Sequence, residues 1–202
     1  MDRQRVVKIW IYYGLCDLFF AFDSDDVAFE DNAKFSEIMG LEKFLKAALL
    51  FGRHAEYEAL PLAEARVVLN KIVMDLGHKF DKMIDALSEG GLIDVEKIKQ
   101  SDFDGYAGVQ LIHAVKAGYM ETRYPVPKSV SKSFPIEGTD FYHDPLSSSG
   151  ITKFIYALCN ACFHKLALNI NFTDMLDQFR DKFQHRESFS RFNNLFWEAR
   201  CK

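Results

Sequence analysis

Eight apolar residues, Leu62, Ala65, Leu69, Ile72, Leu76, Phe80, Met83 and Leu87, recur at steps of three or four positions. A helix turns once every 3.6 residues, so this spacing places all eight side chains on one stripe. The stripe predicts one long helix of about seven turns. It starts at Pro61, a residue suited to a first helical turn, and stops at Gly90-Gly91, as glycine after a helix should. A rod of that length with one greasy side has to bury it against other rods.

The same rhythm runs through most of the chain. Val6 to Phe22 is apolar nearly all round and reads as a buried helix, or a strand, ended by Asp23-Ser24-Asp25-Asp26. Asn32 can cap a second helix whose face is Ile38, Leu41, Leu45, Ala48 and Leu49. Asp94 to Gln100 fits a short helical turn, and Tyr106 to Thr122 a longer helix faced by Val109, Ile112, Val115 and Tyr119. Then Pro125, Pro127, Pro135 and Pro145 fall among serines. Ile151, Phe154, Ile155, Leu158, Cys162 and Leu166 resume the pattern, followed by Phe172, Met175, Phe179 and Phe183 and a restart through Phe189, Phe192 and Phe196. No segment reads as a hairpin. The expected architecture is therefore all-α, an up-and-down helical bundle in one domain spanning residues 1–202. The first helices occupy 1–122, a long Pro/Ser-rich loop 123–150, and C-terminal helices 151–202. A loop this long is usually functional or mobile.

Nineteen phenylalanines supply a large core, and Trp10, Phe19, Phe44, Phe80, Phe154 and Trp197 fall at helical spacings that place them in it. The net charge of −4 gives the whole chain no pull toward nucleic acid or anionic lipid. Charge is uneven, however. Ile9 to Ala33 has no Lys or Arg, while Arg180 to Lys202 carries six basic residues against three acids. Either these are solvated faces, or the basic end docks an anion. The apolar N-terminal run contains Lys8 and Asp17, lacks a small-residue cleavage site and is shorter than a spanning helix needs. Four cysteines without framework spacing fit a reducing compartment. The expectation is a cytoplasmic protein with no membrane partner.

Three stretches resemble a known family. Gly40-Leu41-Glu42-Lys43-Phe44-Leu45-Lys46-Ala47-Ala48-Leu49-Leu50 resembles the second-helix signature of HEPN domains, the higher eukaryotes and prokaryotes nucleotide-binding helical bundles. Gly77-His78-Lys79-Phe80-Asp81-Lys82-Met83-Ile84-Asp85-Ala86-Leu87 is similar to the Gly-His helix that follows it there. Arg123-Tyr124-Pro125 resembles the Arg-Tyr-Pro preceding the last family helix. The matches keep family order and cover roughly residues 34–168; Phe172 to Lys202 is an extension beyond the compact family form. The resemblance implies a bundle that commonly dimerises. It implies either a metal-independent ribonuclease carrying Arg, four to six residues, then His, or a binding module without that pair.

Arg180-Asp181-Lys182-Phe183-Gln184-His185 has the Arg-to-His spacing. Histidine titrates near neutrality and can serve as general acid or base, while arginine stays charged and can stabilise a developing phosphorane. Five residues of regular helix turn the two side chains apart by about 140°, so a shared site requires a dimer. The sequence therefore supports a HEPN-like binding module for nucleotide, RNA or a partner protein. The alternative is an endoribonuclease using Arg180 and His185 as catalytic residues; whether the chain is an enzyme stays open. Ligand-binding candidates are Arg123, Tyr124 and Lys128, which offer cations and a stacking ring, and His78. His78, placed in the long helix, is also read as making a helix–helix hydrogen bond. Cys159, Cys162 and His164 lack the further ligands zinc needs, so the cysteines are read as core and no metal is expected. With no P-loop, dinucleotide fingerprint or nucleophile elbow, no cofactor is expected either.

Overall fold

Asp2 opens the first helix by accepting the Gln4 amide on its carboxylate at 2.9 Å, which satisfies one of the free donors of a first turn. In the computed structural model, which describes residues 2–24, 30–123 and 149–199, α1 (Arg3–Asp23) is followed by α2 (Glu30–Gly52), a 3₁₀ turn (His54–Glu56), α3 (Leu62–Leu76), α4 (Phe80–Glu89) and α5 (Val95–Gln100). A two-stranded ribbon, β1 (Asp102–Phe103) and β2 (Tyr106–Ala107), leads into α6 (Gly108–Arg123). Then come α7 (Ser149–Ala167), α8 (Thr173–Phe183) and α9 (Ser188–Glu198). The fold is all-α, a helical bundle. No helix among the described residues is long and apolar enough to cross a membrane.

α1 and α2 run antiparallel and form the largest helix–helix contact. Their backbones meet at Gly14 and Gly40. A Cβ on Gly14 would stand 2.8 Å from the Phe44 ring, and one on Gly40 2.7 Å from Leu18. Only hydrogen fits there, so the crossing is tight and Leu15, Leu18, Leu41, Phe44 and Leu45 are sealed around it. α7 covers α2 from another side and is buried along most of its length. The C-terminal extension belongs to the same core. Phe19 of α1 lies 4.7 Å from Phe183, 5.3 Å from Phe192 and 5.8 Å from Phe189, ring centre to ring centre. Such tilted and edge-on aromatic contacts add to the area they bury. The expected core aromatics are in place: Phe19, Phe44, Phe80 and Phe154 are sealed, while Trp10 and Trp197 pack partly buried against them.

Three expectations from the sequence need correction. The stripe from Leu62 to Leu87 is not one helix. It breaks at Gly77, whose φ of 53° and ψ of −129° are open to glycine and strained for other residues. The two halves differ in burial. α4 seals Phe80, Met83, Ile84 and Leu87 into the main core. α3 buries only Ala65 and Ile72, in a smaller cluster with Val6, Leu50 and Tyr57. A hairpin does exist, with Asp102 opposite Ala107 and Phe103 opposite Tyr106; its strands are too short to show alternation. The α2 helix begins at Glu30, ahead of the cap expected at Asn32.

Candidate functional site

Charged residues are rarely sealed inside a protein unless paired, and among the described side chains α2 buries three: Glu37, Glu42 and Lys46, at 5%, 3% and 3% exposure. Glu42 and Lys46 are one helical turn apart and so share a face. Lys46 Nζ donates to Glu42 Oε1 at 2.5 Å, with the Trp10 ring of α1 5.8 Å from the ammonium. The second oxygen, Oε2, takes a hydrogen bond from His78 Nδ1 at 2.7 Å. Both carboxylate oxygens are thus engaged, and the pair is met by side chains from α1 and from the segment after α3.

His78 reaches Glu42 because the chain turns there. Gly77 leaves α3 with its amide still bonded to Val73 O at 3.1 Å, and Lys79 N bonds back to Leu76 O at 3.2 Å. His78 therefore lies in the turn between α3 and α4, which corrects its expected place within a long helix. Its imidazole stacks on Tyr119 of α6 at 4.3 Å between ring centres and 22° between planes. Tyr119 is itself buried between Phe35 and Phe80. The imidazole is 44% exposed. Its hydrogen bond to α2 therefore comes from a turn, not from a helix as expected, and the ring stays half open to water.

With Nδ1 donating to a buried carboxylate, a neutral His78 must carry its lone pair on Nε2. Among the described residues Nε2 has no hydrogen-bond partner. A carboxylate that orients an imidazole and leaves its far nitrogen available is a general arrangement for accepting a proton, a hydrogen bond or a metal ion. Among the described residues no group of three or more His, Cys, Asp or Glu is placed to hold a metal. The arrangement therefore offers one directed nitrogen beside an aromatic ring.

A second polar knot lies on the same helix. Lys34 Nζ donates to Glu37 Oε2 and to Thr152 Oγ1, both at 3.0 Å, and Thr152 Oγ1 donates to Glu37 Oε1 at 2.9 Å. It fastens α2 to the start of α7. Lys43 and Asp17 form an ion pair across the α1–α2 contact.

Arg180 and His185 are not brought together. Arg180 is at the last turn of α8, more than half exposed, and pairs with Asp177 of its own helix at 2.9 Å. The α8 helix ends at Phe183, so His185 stands exposed in the turn before α9. The basic end is also partly matched: Arg186 pairs with Asp23 at 3.1 Å, and Lys182 lies 5.8 Å from the Tyr12 ring. Tyr124 and Lys128 lie outside the described residues. Arg123 closes α6, one turn beyond Tyr119, and its side chain also lies outside them. Cys159 and Cys162 are sealed in the core as read from sequence. Burial raises both thiols, that of Cys162 to about 12.

The sequence points to His78 but not to its buried partner Glu42, nor to Lys46, which holds the other oxygen of that carboxylate. Glu42 and Lys46 stand inside the Gly40–Leu50 stretch, where the only signal is their position. Both sit beside the apolar stripe of Leu41, Leu45 and Leu49, on a helix later found packed on several sides. Comparison with family models, curated proteins and solved structures finds no match for this chain.

Proposed function

We propose that the chain is a HEPN-like binding module that takes a nucleotide or RNA at the open edge of His78. One observation carries the reading: a half-exposed imidazole is fixed by a buried carboxylate on one nitrogen and by Tyr119 on one face. Rigid orientation lowers the ordering cost of binding. The available nitrogen can meet a ribose hydroxyl or base edge, and the ring can support a stacked base. Phosphate would be met by nearby cations, for which the Arg123 position on α6 is a candidate. Calorimetric titration with a ribonucleotide and with a short single-stranded RNA tests it. Binding that weakens on His78→Gln, in a protein of unchanged fold, is expected. Silence at millimolar ligand, or affinity indifferent to that substitution, would remove the reading.

The alternative is a metal-independent endoribonuclease with His185 as acid or base and Arg180 stabilising charge. Its support is that both side chains are exposed at one end of α8 and so open to a second chain. RNA cleavage in chelator should vanish on His185→Ala; cleavage that persists would end it.

A further inference from the structure

α3 gives the bundle little of itself: of its 15 residues it seals only Ala65 and Ile72. A lone helix of about 12–15 residues is marginal in water, and packing supplies most of a helix's stability. The face turned away from the bundle is open. Ala63, Val67, Asn70 and Met74 are all exposed and follow at steps of four, three and four, the spacing of a seam between two paired helices. Val67 is 69% exposed and Met74 78%, so no described side chain covers them.

The charges beside the seam say what fits it. Glu64 and Lys71 lie along one flank and Arg66 along the other, all three exposed. None of them forms an ion pair among the described residues. With a second copy laid antiparallel on the first, about a two-fold axis level with Val68 and Leu69, Ala63 meets the partner's Met74 and Val67 the partner's Asn70. Such an axis keeps like flank beside like flank. Glu64 therefore meets the partner's Lys71, Lys71 meets the partner's Glu64, and Arg66 has only the partner's Val73 opposite. In a parallel pair, flanking residues meet five positions apart across the seam, which would set Arg66 against the partner's Lys71. The charges select the antiparallel pairing. The strip is about 22 Å long and about 10 Å wide, well short of the roughly 800 Å² a side of a standard interface. The contact is accordingly weak and depends on concentration.

We propose that this face of α3 pairs antiparallel with the same face of a second copy of the chain, with Val67 and Met74 in the seam and Glu64 and Lys71 exchanging partners across it. The pairing uses no residue of the nucleotide reading and does not depend on it. Sedimentation equilibrium of the full chain, from micromolar to near-millimolar concentration, should show monomer passing into dimer. Glu64→Lys and Lys71→Glu should each weaken the dimer about tenfold, two attractive pairs becoming repulsive, at a melting temperature close to the original. Mixed in equal amounts, these two single variants should pair with each other. The double exchange, Glu64→Lys with Lys71→Glu, should dimerise like the original chain. Met74→Lys, at a side chain already in water, should abolish the dimer without unfolding the monomer. A dimer indifferent to both Glu64→Lys and Met74→Lys, or single variants that do not pair when mixed, would overturn the proposal. So would a chain monomeric at every concentration, which would leave the face to a partner of other chemistry.

Discussion

The Glu42–Lys46–His78 cluster and the Arg180–His185 pair each set an imidazole with a cationic side chain, yet the fold treats them oppositely. The first is drawn from α2 and the α3–α4 turn, backed by Trp10 and Tyr119, and two of its three members are sealed. The second occupies six consecutive residues and is left in water. Spacing along a chain shows which residues share a helix face. It does not show which of them other helices will cover, and covering is what fixes a side chain well enough to act.

Glu42→Ala should break this contrast most severely. It leaves the Lys46 ammonium buried without its partner, a situation that costs about 3–5 kcal/mol. Urea unfolding should show that loss as a lowered midpoint at constant slope. Pairing Glu42→Leu with Lys46→Met removes both charges together and should recover most of it; a double variant as unstable as Glu42→Ala would show that shape rather than charge governs the site.

Alkali should act on the interior. Burial first of all raises Cys159, Cys162 and Tyr57, the last two to about 12 from ordinary values of 9.0 and 10.0. Each holds its proton more tightly folded than unfolded. The stability it adds is complete below its ordinary value and is lost as pH climbs toward the folded one. Melting temperature should therefore hold up to pH about 9 and fall steadily toward pH about 12, with Cys162→Val lessening the first part of the fall.

His78→Ala comes next. It strips Glu42 Oε2 of its hydrogen bond and uncovers one face of Tyr119, for about 1–3 kcal/mol. Smallest of all, Arg180→Ala and His185→Ala should each change stability by less than about 0.5 kcal/mol. A larger loss from either, measured on the isolated protein at low concentration, would mean the C-terminal turn is more tightly held than its exposure indicates.

Most helices are legible because their stripes are long and their partners aromatic: α2, α7 and the pair α8–α9 lie where apolar spacing puts them, while α6 starts only at Gly108 and leaves the expected face residue Val109 exposed. The break at Gly77 was not, because the stripe keeps its phase across it from Leu76 to Phe80. A periodicity argument sees the side chains and is blind to one backbone torsion. The β1–β2 ribbon escaped for a different reason. Two residues per strand carry no alternation, and the turn is made by Asp104 at a φ of 56° followed by Gly105, a local conformation with a weak signature. At the site, His78 was visible through the Gly-His resemblance. Its partners were not, since a Glu–Lys pair one turn apart usually marks a solvated face and only packing by α1 and the α3–α4 turn makes this one interior.

The Gly14–Gly40 crossing has a practical corollary for anyone engineering the chain. Swapping a mid-helix glycine for alanine is a standard route to a hardier protein, since it removes roughly 1 kcal/mol of backbone freedom from the unfolded chain. At these two positions the added methyl group would act as a wedge, prising apart the contact on which the rest of the bundle is assembled. The usual recipe changes sign here.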